Sequence, residues 1–103
     1  MDDPNQIEVP PSFTQLFASP SGHRLTAPMS QVRERYELCE DLAQMLTEQA
    51  SAKLFELGIA EQQVLERMRL GLEGPGSPVQ PAEAVWIVRR LAELLGWEDP
   101  GPT

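Results

Sequence analysis

The chain predicts an all-α fold, a compact three-helix bundle with a short extra helix on its N-terminal side. Three observations carry that reading. Apolar residues recur at helical spacing in three successive stretches, 30–57, about 60–72 and 81–95. Glycine and proline separate those stretches, and no segment alternates convincingly with the period of a strand. A length of 103 residues suits one domain with one modest core.

The start of the chain, MDDPNQIEVPP, is acidic and rich in proline, so residues 1–11 read as a mobile tail. Phe13, Leu16 and Phe17 follow at i, i+3, i+4, one side of a helical turn that Pro11 can open and the run from Ser19 to Gly22 stops. So short a helix is unstable alone. Its three apolar side chains dock either on the protein's own core or on a partner.

The main helix is expected over 30–57, capped by Ser30 and ended by Gly58 in a left-handed conformation. Val32, Tyr36, Cys39, Ala43, Leu46, Ala50 and Leu57 keep a 4-3 spacing, interrupted by Lys53. Leu38, Leu42, Met45 and Ala52 are read as a second row that widens the buried stripe. Glu34, Glu37, Asp41, Glu48 and Glu56 form the opposite, wet face.

A shorter helix follows, with Val64, Leu65, Met68 and Leu72 inward and Ile59 placed to staple onto Val64. The loop 73–78 leads to a last helix opened by Pro81, with Glu83 in its first turn. Ala84, Val85, Ile87, Val88, Leu91, Ala92, Leu94 and Leu95 make this helix nearly continuous on two adjoining stripes, so it packs centrally. Gly96 closes it, Trp97 folds back over its end, and 98–103 is expected to fray. The helical domain therefore spans 12–97.

The formal net charge is −8, and it is spread along the chain with no basic stripe to offset it. Such a surface repels a phosphate backbone, so nucleic acid is not an expected partner. No apolar run approaches the roughly 18 residues of a membrane span, and the N-terminus lacks a signal-peptide pattern. One cysteine suits a reducing compartment, so a cytoplasmic location is expected.

The chemistry-bearing residues have bland readings. His23, the lone histidine, sits in a polar loop without a convergent partner, and Cys39 falls on the core row of the long helix. Glu37, Glu40 and Asp41 meet on one helix face, but the matching ligands of a carboxylate metal site are missing from the other helices. Gly71, Gly74 and Gly76 are not followed by a phosphate-loop lysine. Neither catalysis nor a metal or cofactor is expected. Trp86, Arg89 and Arg90 have the composition of an interface centre, with Trp86 and Arg90 at stacking distance along the helix. Alternatively, Trp86 packs under the N-terminal Phe13/Phe17 segment and the arginines pair with the acidic long helix.

Two stretches carry a resemblance: Arg35-Tyr36-Glu37-Leu38-Cys39-Glu40-Asp41-Leu42-Ala43 with Met45-Leu46-Thr47-Glu48, and the run from Trp86 to Trp97. The chain resembles, over roughly residues 7–97, small proteobacterial proteins of unassigned function sometimes labelled "ATPase with chaperone activity". That resemblance implies a bacterial cytoplasmic protein. Its label implies nucleotide hydrolysis, but this chain lacks the phosphate loop, and no functional residue carries over.

The expected function is a small, acidic, non-catalytic adaptor or regulatory module that binds another protein, in a chaperone or proteolysis setting. Its expected contacts are Trp86, Arg89 and Arg90, with Phe13, Leu16 and Phe17 as a second surface. The alternative is a structural homodimer built on the long helix 30–57, through Leu38, Leu42, Met45, Leu54 and Phe55. A helix-turn-helix regulator is disfavoured by charge.

Overall fold

The computed structural model describes residues 8–101, which are all-α: helices α1 (Pro11–Thr14), α2 (Met29–Leu57), α3 (Glu61–Glu73) and α4 (Pro81–Leu95). The expected tail over 1–11 lies mostly outside the described residues, and Pro11 already belongs to α1. A single helical domain is expected across 12–97; by contacts the chain gathers into two compact units, Met1–Leu38 and Cys39–Thr103, with the division inside α2.

In the first unit, Pro11 occupies the first turn of α1, where its missing N–H is not needed. The Pro10 carbonyl accepts from the Phe13 and Thr14 amides at 2.9 and 3.2 Å. A 3-10 turn, Gln15–Phe17, continues the helix. The chain then reverses through Ser19 to Gly22, where Gly22 has a φ of 78°. An isolated antiparallel bridge joins Ala18 and Leu25 and leaves no strand among the described residues. Phe13, fully buried, lies with its ring 5.7 Å from Phe17 and 5.6 Å, edge-on, from Tyr36.

Ser30 does not cap α2. The Pro28 carbonyl takes that place, accepting from the Gln31 and Val32 amides at 3.0 and 3.1 Å, so Ser30 sits within the first turn. A proline supplies the carbonyl without a donor that needs satisfying. At the other end Gly58 has a φ of 61° and ends the helix as expected.

The second unit is three-helical: the later part of α2, then α3 and α4. Its core joins Ala50, Val64, Leu65, Met68, Val88, Leu91 and Ala92, with Leu46, Leu54, Ile59, Leu72, Leu95 and Trp97 packed against it. Ile59 lies on the cluster that holds Val64, which is the staple geometry. Side chains at the third position complete both short helix starts. Gln63 Oε1 accepts from the Ala60 amide at 3.0 Å, and Glu83 Oε1 accepts from the Gln80 amide at 2.8 Å.

The end of α4 is a Schellman turn. Gly96 has a φ of 71°, its amide donates to Glu93 O at 3.2 Å, and the Trp97 amide donates to Ala92 O at 2.8 Å. Within 98–101, Asp99 is tied back to α4 by Arg89. The last two residues lie outside the described ones.

Candidate protein-binding surface

The residues expected to form a contact surface are largely committed to the fold. Trp86 is 8% exposed and Phe13 is fully buried, so neither side chain is presented to a partner. Leu16 and Phe17 are half-buried. The Trp86 position faces inward because α4 is apolar on two adjoining stripes, and the wider arc they cover includes it.

The two arginines are also engaged. Arg90 grips Glu40 of α2 with both forks, Nε to Oε1 at 2.8 Å and Nη2 to Oε2 at 3.1 Å, and also reaches Glu93 at 3.3 Å. Gln44 donates to the same Glu40 carboxylate at 2.8 Å. Burial raises the Glu40 pKa, but the bonds from Arg90 and Gln44 and the Arg90 charge together hold it below its ordinary value. Arg89 holds Asp99 through Nε and Nη2 at 3.0 and 2.7 Å. That bond, with the Gly101 amide, lowers the Asp99 pKa. These are bidentate pairs that organise the second unit.

Other polar groups follow the same pattern. Arg69 bridges Glu66 and Glu73 along α3. His23 is exposed and Cys39 is buried. No group of three metal-ligating side chains gathers among the described residues. A cleft of about 150 Å³ lined by Leu65, Arg69, Val85, Val88, Pro100 and Gly101 is small beside the usual ligand pocket.

What faces outward is a second 4-3 row on α2: Asp41, Met45, Glu48, Ala52 and Phe55, all exposed. Phe55 is 90% exposed and Met45 73%. The geometry follows from the core row. Residues two and five places beyond a buried position lie roughly 160° and roughly 140° from it, in opposite senses, on a helix that turns about 100° per residue. Met45 and Glu48 stand in that relation to buried Ala43, and Ala52 and Phe55 to buried Ala50.

This corrects the reading of Met45 and Ala52 as a widening of the core stripe. Leu38 and Leu42 are half-buried, and Leu54 packs on the core, but Met45 and Ala52 are exposed. The signal was present in the sequence as a second row in antiphase with the first. Glu56 flanks it and is exposed, and within 39–57 the sole basic residue is half-buried Lys53.

Compared with models of known protein families, with curated proteins and with solved structures, the chain finds no match. No helix of the described residues is long and apolar enough to cross a membrane.

Proposed function

We propose that this chain is a non-enzymatic protein-binding module whose contact surface is the outward face of α2. One observation carries the reading: Phe55 and Met45 are exposed on a regular seam within a helix whose own core is complete without them. Scattered apolar residues on a surface are ordinary. Here they share a single row with Ala52, at the spacing by which helices pack. Burying Phe55 would contribute about 2 kcal/mol that the chain alone leaves unrealised. The adaptor role and its chaperone or proteolysis setting rest on this surface and on the resemblance, and no ATPase step is assigned to it.

The homodimer is weakened by the same geometry. A parallel pairing through this face, or an antiparallel one centred on Glu48, brings identical carboxylates toward one another. Of its apolar residues, Leu54 is already covered by the core. Nucleic acid is disfavoured by the net charge of −8.

A photo-crosslinking residue at position 55, introduced in the native host, tests the proposal. An adduct with another protein from position 55, and none from exposed Glu61 on α3, supports it. Equal labelling from both positions, or none from position 55, refutes it.

A further inference from the structure

The outer seam of α2 is not simply apolar, and its charge pattern defines what can cover it. Asp41 and Glu48 stand within the row itself, between and before the apolar positions Met45, Ala52 and Phe55, with exposed Glu56 at its edge. Glu40, the other carboxylate of this part of α2, is already neutralised by Arg90. The row runs for about 21 Å along the helix, roughly four turns.

We infer that this seam docks a basic amphipathic helix, one that sets apolar side chains against Met45, Ala52 and Phe55 and lysine or arginine against Asp41 and Glu48. The inference rests on the protein-binding reading above and names the partner's chemistry. Ala52, small and central, lets a second backbone approach closely, while Met45 and Phe55 supply the knobs on either side. A purely apolar helix would strip water from two carboxylates and give nothing in return. A lysine or arginine supplies the missing charge, and its aliphatic stem covers the neighbouring apolar surface.

A second copy of this chain is a poorer occupant. In a parallel pair each carboxylate meets its own counterpart. In an antiparallel pair centred on Glu48, Glu48 meets Glu48 and Asp41 falls opposite Phe55; centred between Glu48 and Ala52, Met45 meets Phe55 but Glu48 faces only Ala52. The row holds no lysine or arginine to set against either carboxylate. The charge pattern favours a different chain with positive charge at these two places.

The test uses the full 103-residue chain and two labelled helical peptides. One carries leucine opposite the three apolar positions and lysine opposite the two carboxylates. The other replaces those lysines with glutamate. Fluorescence anisotropy at low and moderate salt should show the lysine peptide binding at least tenfold tighter, with the gap narrowing as salt rises.

The D41K/E48K double variant should reverse the preference, and Phe55→Ser should weaken the lysine peptide about tenfold. Circular dichroism checks that both variants remain helical. Equal binding of the two peptides, no binding of the lysine peptide, or an unchanged preference in D41K/E48K overturns the inference. Sedimentation that shows self-association abolished by Phe55→Ser also overturns it, in favour of a second copy. If the glutamate peptide binds and Phe55→Ser releases it, the contact surface stands while the partner chemistry falls. If Phe55→Ser changes nothing in any arm, both fall.

Discussion

Phe55 and Trp86 are both large aromatic residues on helices, and their opposite environments set opposite expectations. Trp86 is 8% exposed, so Trp86→Ala removes packed volume and should cost about 3–5 kcal/mol in thermal or urea unfolding. Phe55 is 90% exposed, and alanine is the better helix former, so Phe55→Ala should leave stability within about 0.5 kcal/mol or raise it slightly. Equal losses at the two positions would mean that Phe55 is covered in solution. The Glu40 and Arg90 pair makes a further residue-scale prediction. Because the folded Glu40 carboxyl has a lowered pKa, its contribution is present above the ordinary carboxylate range near 4.5 and is lost as pH falls through the lowered folded value. Arg90→Ala should cost about 1 kcal/mol at neutral pH, the pair being partly exposed. It should also flatten the loss of stability measured as pH falls below about 4.5.

At the scale of the element, glycine separates backbone need from open space. Gly96 ends α4 with a φ of 71°, whereas Gly71 lies within α3 without a positive φ, and a Cβ at either position meets no atom within 4 Å. Gly96→Ala should therefore destabilise by about 1 kcal/mol through backbone strain alone. Gly71→Ala should stabilise by about 0.5–1 kcal/mol, because it lowers the entropy of the unfolded chain and suits a helix. Urea denaturation of the two variants reads the difference. Opposite signs are expected from two substitutions that are chemically the same. The helix ends also show how local rules compete. Ser30 has the right side chain for a cap, but Pro28 two residues earlier supplies the carbonyl and moves the boundary. The Schellman turn at Gly96 was readable because glycine and a following aromatic residue point to one geometry together.

For the whole molecule, charge is the term that bears on association. A net charge of −8 on 103 residues, with carboxylates along the exposed seam, opposes self-pairing. The chain should sediment as an 11.5 kDa monomer at micromolar concentration in moderate salt, and Phe55→Ser should leave that unchanged. A dimer dissociated by that substitution would show that apolar burial outweighs the carboxylate repulsion. The sequence by itself determined the helices, their order, most of their ends and the inward row of α2 as far as Ala50, Leu57 at its end being exposed, because those follow from spacing and from the backbone needs of glycine and proline. The antiphase row of Asp41, Met45, Glu48, Ala52 and Phe55 was also legible in principle. It was obscured because Leu38, Leu42, Met45 and Ala52 themselves keep helical spacing, so spacing alone joins the half-buried pair to the exposed one. Only the tertiary structure decided that Trp86 and Phe13 are interior, that Arg90 meets Glu40 fifty residues away and that Asp99 is held by Arg89. Spacing along a chain fixes which residues share a helix face, but burial and ion pairing depend on which other element reaches that face, and this is a long-range property.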